Sequence, residues 1–170
     1  GLGANERTLE AAEAILTAYD GVAVVDADAL QVVPGLETEA TLICTPHQGE
    51  LVKMGGPERD RWRERRDAVE QFASELGHTL LVKGAYDIVS DGERTRVNRT
   101  GNPGMTVGGT GDVLAGVAGA LAATQQPTDA AGLGAYVTGR AGDTVAEEYG
   151  NGLVATDLLD AIPEAMCPEP

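Results

Sequence analysis

The chain has 170 residues, of which 42% are hydrophobic and 23% are charged. This length and composition are those of one globular domain with a sizeable core, so disorder, collagen-like structure and a disulfide scaffold are excluded. Twelve basic against 27 acidic residues give a net charge of −15, and such a surface repels nucleic acid backbones and anionic membranes. We therefore expect neither nucleic acid nor a membrane as a partner.

The basic residues and the cysteines indicate the kind of organism and the cellular compartment in which the protein occurs. Only Lys53 and Lys83 are lysines, and the other ten basic residues are arginines. This acidic, lysine-poor composition predicts a salt-accumulating source, although an ordinary acidic protein stays an alternative. The two cysteines belong to no CxxC motif or Cys/His cluster, which predicts a reducing compartment and no structural zinc. We expect a cytoplasmic protein.

In chain order, the hydrophobic pattern alternates between helices and short strands. Helices are predicted near residues 5–18, 57–76, 112–121, 129–149 and 155–162. Strands are predicted at residues 21–25, 41–44 and 79–82, and a hairpin at 86–89 and 95–97. This alternation predicts an α/β fold with a mainly parallel sheet covered by helices on both faces.

Residues 1–170 form a single domain in this interpretation, because no linker or repeat interrupts the alternating pattern. Gly1-Leu2-Gly3 has the character of a tight turn that enters a helix, yet no strand precedes it. We therefore expect the domain to lack its N-terminal portion.

A glycine-rich stretch, residues 101–111, leads directly into the helix predicted from Asp112. Backbone amides at a helix start can hold phosphate oxygens, and glycine lets an anion approach closely. The stretch matches neither GxxxxGK[ST] nor GxGxxG, so it is neither a P-loop nor a dinucleotide fingerprint. Asp112 follows where a transferring phosphoryl group would be held, and it could take a proton from an attacking hydroxyl. The alternative is a flexible loop that caps a helix.

Four motifs, in the right order, resemble those of the ADP/ATP-dependent NAD(P)H-hydrate dehydratases of the ribokinase-like superfold. They are similar to the family's DADAL strand end at residues 26–30, its TPHPGE loop at 45–50, its KGA segment at 83–85 and its GNPGM-x-x-GGTGD signature at 101–112. Residues 1–3 resemble the end of its GPGLG turn. Gln48 replaces the usual proline and Thr106-Val107 the common Ala-Thr, and neither departure removes a charged residue or a glycine.

The resemblance implies a repair enzyme that restores NADH or NADPH after the nicotinamide ring has gained water. Family members phosphorylate the ring hydroxyl from ADP or ATP, because hydroxide is a poor leaving group, and then eliminate phosphate. By this resemblance Asp112 would be the base that deprotonates the hydroxyl. Gly109, Thr110 and Gly111 would form the anion hole for the transferred phosphoryl group.

The resemblance also implies the remaining site residues. The nucleotide would contact Gly111 and lie along Lys83, Gly84, Ala85, Tyr86 and Asp87. The hydrated dinucleotide would contact Gly3, His47, Asn102 and Asp112. Glu50 would hold Mg²⁺ through water, because residues 47–50 have the spacing of the N-x-x-E motif of sugar kinases in the same superfold.

Several alternatives stay open at this point. A hydroxyethylthiazole or pyrimidine alcohol kinase would share Gly-Thr-Gly-Asp, and a non-catalytic nucleotide-binding module would share the glycine-rich loop. His47 could instead cap a turn, Lys83 could be a surface charge, and Asp26 and Asp28 could cap the following helix or steer substrate or Mg²⁺. The sequence leaves open ADP against ATP, NADH hydrate against NADPH hydrate, a homo-oligomer, and a fused epimerase domain upstream.

Overall fold

The computed structural model describes residues 3–167 and confirms the α/β class. Gly1 and Leu2, which the sequence analysis places in a glycine turn, lie outside the described residues. The helices are α1 (Glu6–Ala18), α2 (Gln48–Lys53), α3 (Trp62–Leu76), α4 (Thr110–Ala122), α5 (Pro127–Tyr149) and α6 (Asp157–Met166). The strands are β1 (Val22–Val25), β2 (Thr41–Cys44), β3 (Thr79–Val82), β4 (Asp87–Ser90) and β5 (Thr95–Asn98).

The strands form one mixed sheet in the order β1-β2-β3-β4-β5. β1, β2 and β3 are parallel, whereas β4 and β5 form the predicted antiparallel hairpin on the β3 side. Because parallel strands end at the same edge, the residues that follow β1, β2 and β3 meet there. In open α/β sheets this carboxyl-terminal edge is where ligands bind.

Helices cover both faces of the sheet, as predicted. Strand residues alternate between the two faces, so Leu42 and Leu80 pack with α1, α2 and α3, whereas Ile43 and Leu81 pack with α4 and α5. All four side chains are fully buried. Between residues 3 and 167, no helix has the length and hydrophobicity that a bilayer crossing requires.

Several element boundaries differ from the predictions, including those of α2, α3, α5 and α6. α2 is not predicted, because its six residues are too few to show a helical hydrophobic period. α3 begins at Trp62 rather than at residue 57. α5 begins at Pro127, a residue type that favours the first helical position. α6 continues to Met166 although Pro163 removes one of its amide donors.

Candidate functional site

Side chains that follow three parallel strands meet around the ammonium of Lys83. Lys83 Nζ lies 2.8 Å from Asp26 Oδ1 and 3.7 Å from Glu50 Oε2. Thr45 Oγ1 donates a hydrogen bond of 2.7 Å to the same Asp26 oxygen. The Lys83 and Asp26 side chains are only 22% and 17% exposed, so Lys83 is a partly buried, oriented cation rather than a free surface charge.

Asp26 holds Lys83 instead of capping the helical turn that follows it. The residue occupies the N-cap position of the 3₁₀ turn Ala27–Val32, yet its side chain makes no capping hydrogen bond. The next residue, Ala27, has a φ of +54°, which is unfavourable for a residue with a Cβ atom. Backbone strain of this kind concentrates at functional sites, and here it lies directly beside the Lys83 ion pair.

His47 and Glu50 form a capping box at the start of α2. His47 Nδ1 accepts hydrogen bonds from the amides of Gly49 and Glu50 at 3.0 and 3.2 Å. Glu50 Oε2 in turn accepts from the His47 amide at 2.8 Å. His47 therefore does cap a helix, the plainer of the two alternatives. Its ring remains 59% exposed, with Nε2 3.5 Å from Glu50 Oε1, so the cap leaves the ring accessible to a ligand.

The first turn of α4 faces Lys83. A Cβ atom placed on Gly111 would lie 3.4 Å from Lys83 Nζ and 3.6 Å from Asp26 Oδ2. The chain enters the helix through Gly109, whose φ of +99° favours glycine. The amides in the first turn of an α-helix have no intrahelical acceptor and carry partial positive charge. The free amides of α4 and the Lys83 ammonium therefore lie side by side and can bind the same anionic group.

Thr110 and Asp112 have different environments within this first turn. Thr110 Oγ1 donates to the carbonyls of Met105 and Val107 at 2.9 and 3.1 Å, so its hydroxyl holds the glycine-rich loop. Asp112 is exposed and lies at one end of an apolar groove of about 610 Å³ between α4 and α6. Its carboxylate is therefore free of the loop and accessible to a substrate.

Asp87 shapes the turn after β3. Its Oδ1 accepts from the Gly84 amide at 3.0 Å and its Oδ2 from Asn98 Nδ2 at 2.9 Å. Burial raises the pKa of the Asp87 carboxyl, and these hydrogen bonds oppose that rise. Because protein donors occupy both oxygens, Asp87 positions Gly84 and the exposed Ala85 next to Lys83.

Asn102 and Gly3 make their hydrogen bonds within their own turns. Asn102 Oδ1 accepts from the Gly104 amide at 3.0 Å and caps the 3₁₀ turn Pro103–Met105. The Gly3 carbonyl accepts from the Thr8 hydroxyl at the start of α1. No hydrogen bond within residues 3–167 connects either residue to Lys83, and their contacts with a substrate stay predictions.

Two glycines of α5 that the sequence did not single out support the glycine-rich loop. A Cβ atom on Gly139 would lie 2.2 Å from Thr100 Oγ1 and 2.7 Å from the Thr100 carbonyl carbon. A Cβ atom on Gly142 would lie 2.1 Å from Met105 Sδ. Gly139 and Gly142 are spaced i, i+3, which places both on one face of the helix. This spacing is the feature of the sequence from which their role could have been predicted.

We expect Gly139→Ala to displace the loop and to lower the stability of the protein. Alanine gains about 1 kcal/mol of helix propensity over glycine, but overpacking against the Thr100 backbone costs about 1–3 kcal/mol. The matched control is Gly132→Ala in the same helix, where a Cβ atom would lie 3.7 Å from its nearest neighbour. Thermal unfolding should show a lower Tm for Gly139→Ala and an equal or higher Tm for the control. Equal stabilisation by both changes would contradict the close contact.

Comparisons with known proteins place the chain among proteins of one kind. The family model described as NAD(P)H-hydrate dehydratase matches residues 1–164. The chain is 42% identical over 170 residues to a bifunctional NAD(P)H-hydrate repair enzyme Nnr of Pyrobaculum aerophilum, with 98% of this chain and 34% of the relative covered. It is 44% identical over 128 residues to an ADP-dependent (S)-NAD(P)H-hydrate dehydratase of Cenarchaeum symbiosum, with 74% of this chain and 45% of the relative covered.

Solved structures show the same likeness. The structure of ADP/ATP-dependent NAD(P)H-hydrate dehydratase from Bacillus subtilis co-crystallised with ATP/Mg²⁺ matches with a TM-score of 0.86 and 28% identity, over 98% of this chain and 61% of that one. A hydroxyethylthiazole kinase of Pyrococcus horikoshii matches with a TM-score of 0.64 at 22% identity, a likeness of fold alone. The chain spans about a third of the length of the bifunctional relatives. With its family model matched over nearly all of its length, the chain belongs to the NAD(P)H-hydrate dehydratase family.

Proposed function

We propose that this chain carries the catalytic centre of an ADP- or ATP-dependent enzyme that dehydrates hydrated NADH or NADPH. The observation that supports it most is the position of Lys83, held by Asp26 and Glu50 against Gly111 in the first turn of α4. A cation and free helix amides at one point form a site for a phosphoryl group. Asp112 follows Gly111 in that turn and supplies a carboxylate next to that group.

The proposed reaction begins with proton transfer. Asp112 takes the proton of the ring hydroxyl, whose oxygen then attacks the terminal phosphorus of the nucleotide. The bond between that phosphorus and its bridging oxygen breaks, which releases AMP when ADP is the donor and ADP when ATP is the donor. The ring now carries a phosphate ester, which is a better leaving group than hydroxide. The C–O bond of the ester then breaks while the neighbouring ring carbon loses a proton to solvent water, and the reduced nicotinamide and free phosphate result.

The anion hole and Lys83 stabilise the charge that moves during this transfer. The amides of Gly109, Thr110 and Gly111 would hold the oxygens of the transferred group, because preorganised amides at a helix start cost no reorganisation. Lys83 would donate to the same phosphate and would give up part of its contact with Asp26. The ion pair therefore keeps the ammonium oriented before the nucleotide arrives.

The carboxylates near Lys83 fit a magnesium ion that arrives with the nucleotide. Within residues 3–167 no group of three or more His, Cys, Asp or Glu side chains could form a cage for a metal. Mg²⁺ usually keeps several waters and takes one or two carboxylates besides the substrate phosphates. Glu50 would contact it through water. The ion would neutralise phosphate charge.

We also propose that residues 1–170 are the C-terminal part of the catalytic domain. The groove between α4 and α6 exposes a continuous apolar surface, which includes Val117, Leu159 and Ile162. β1 is an edge strand among the described strands, and both features are usual where further structure packs. Two relatives are bifunctional repair enzymes of which the chain covers 34% and 31%, which supports a further functional domain in the complete protein.

The function is tested by following absorbance at 340 nm in hydrated NADH mixed with the complete protein. Addition of ADP or ATP with Mg²⁺ should restore the absorbance, whereas omission of the nucleotide should leave it unchanged. The kinase alternative predicts another result, since a hydroxyethylthiazole or pyrimidine alcohol kinase would consume nucleotide only with its own alcohol. Failure of both nucleotides to restore NADH would contradict the proposal.

Residues 1–170 expressed alone should turn over hydrated NADH far more slowly than the complete protein. The reason is that the apolar groove beside Asp112 and the edge of β1 would stay uncovered. Side-by-side kcat measurements at equal concentration check this, with circular dichroism to verify that the segment folds. Full activity of the folded segment would show that catalysis does not require further structure over the groove or the edge of β1.

A further inference from the structure

Two aromatic rings and three arginines form a cluster beside the turn that follows Lys83. The aromatic–arginine cluster consists of Trp62, Arg63, Arg65, Tyr86 and Arg99. The Trp62 and Tyr86 ring centroids are 5.3 Å apart. The guanidinium carbon of Arg63 lies 4.5 Å from the centroid of the Trp62 ring, and that of Arg99 lies 5.9 Å from both centroids. Such cation–π contacts orient a guanidinium without neutralising its charge.

The three arginines of this cluster form no ion pair at contact distance, although Asp87 attracts the Arg65 guanidinium at longer range. Other arginines nearby do form ion pairs with carboxylates, namely Arg61, Arg66, Arg94 and Arg96. In the part of the chain that the structure describes, no carboxylate oxygen lies within 4.0 Å of Arg63, Arg65 or Arg99. Nε of Arg65 is also buried without a hydrogen-bond partner. Arg63 and Arg99 thus carry positive charge that no carboxylate of the described residues neutralises at contact distance.

The cluster lies beside the backbone on which the proposed nucleotide site depends. Arg65 Nη2 donates to the Tyr86 carbonyl at 2.9 Å. A Cβ atom placed on Gly84 would lie only 3.0 Å from Arg65 Nη2, so the glycine lets the guanidinium approach the turn. Lys83 and Tyr86 are three residues apart, a span of at most about 10 Å. A chain of two or three phosphates can lie between the Lys83 site and the cluster.

We propose that the aromatic–arginine cluster binds phosphate groups of the nucleoside diphosphate or triphosphate co-substrate, with Arg63 and Arg99 as its exposed cations. The inference rests on the proposed function, because that function brings such a nucleotide to Lys83. Arg63 covers the Trp62 ring, so the cluster presents charge rather than a ring face on which a base could stack. The guanidinium group also suits phosphate, which it can bind through two parallel hydrogen bonds.

The test compares ADP and adenosine binding to the complete protein by isothermal titration calorimetry. In the double variant Arg63→Gln/Arg99→Gln we expect the ADP Kd to rise about tenfold or more, because each hydrogen bond to a charged group contributes appreciably to binding. The adenosine Kd should stay unchanged. The control Arg59→Gln/Arg140→Gln removes the same charge from two exposed arginines outside the cluster and should leave the ADP Kd within about twofold, since distant surface charge is screened.

Trp62 is the only tryptophan of the chain, so its fluorescence gives a second readout that does not need turnover. ADP should change the Trp62 emission of the wild type and of the control, and should change it far less in the double variant. Arg63→Lys/Arg99→Lys, which keeps the charge, should regain part of the ADP affinity. An unchanged ADP Kd in the glutamine double variant would overturn this inference but would leave the proposed function intact. Absence of ADP binding to the wild type would contradict the proposed function as well.

Discussion

Asp112→Asn in the complete protein is expected to lower kcat by about 10² to 10⁴, the usual contribution of a positioned general base. Asparagine is nearly isosteric with aspartate but cannot accept the proton of the ring hydroxyl. The ADP Kd should stay within a few fold, because in the proposed site the phosphates contact the backbone amides of residues 109–111 and Lys83. The 340 nm absorbance of restored NADH gives kcat, and titration calorimetry gives the ADP Kd.

Thermal unfolding of the same variant separates catalysis from a structural role. Asp112 lies in the first turn of α4, where a carboxylate also stabilises the helix end by about 0.3–1 kcal/mol. If Asp112 has only a structural role, the Asp112→Asn variant should have a slightly lower Tm and an almost unchanged kcat. An unchanged kcat would remove Asp112 from the mechanism.

Lys83→Met is expected to raise the ADP Kd by about tenfold to a hundredfold. A hydrogen bond from a charged group to phosphate contributes about 1.5–3 kcal/mol, and the Lys83 side chain is only 22% exposed, so solvent screens it incompletely. Methionine keeps the length and the apolar stem of lysine while it removes the charge. Calorimetric titration with ADP measures the effect.

The matched control for this change is Lys53→Met, which removes the only other lysine of the chain. Lys53 is exposed in the last turn of α2 and forms no part of the Lys83 ion pairs, so its loss should leave the ADP Kd nearly unchanged. An equal effect of both changes would mean that ADP responds to overall charge rather than to the position of Lys83.

The meeting of Asp26, Thr45 and Lys83 could be anticipated from the sequence because parallel strands share an edge. Three short apolar runs predict β1, β2 and β3, and each run ends in a polar or charged residue of a family motif. The specific bonds could not be predicted. The sequence does not distinguish helix capping by Asp26 from steering of substrate or Mg²⁺. In the structure its partner is the ammonium of Lys83, 57 residues further along the chain.

Contacts between distant segments explain most of what the sequence analysis missed. The α5 glycines 139 and 142 matter because the loop from Thr100 to Met105 packs on them, and helical spacing alone does not say which loop lies on that face. The aromatic–arginine cluster joins the start of α3 to residues after β3 and β5. The charge run at residues 59–67 therefore combines exposed ion pairs with three members of that cluster.

We expect the hydrated ring to be phosphorylated before its C–O bond breaks, at the site formed by Lys83, the first turn of α4 and Asp112. The most direct measurement counts products in one reaction of hydrated NADH with ADP and the complete protein. We expect one AMP and one phosphate for each NADH restored. Restoration of NADH without AMP formation would contradict the claim, because it would mean that water leaves without prior phosphoryl transfer.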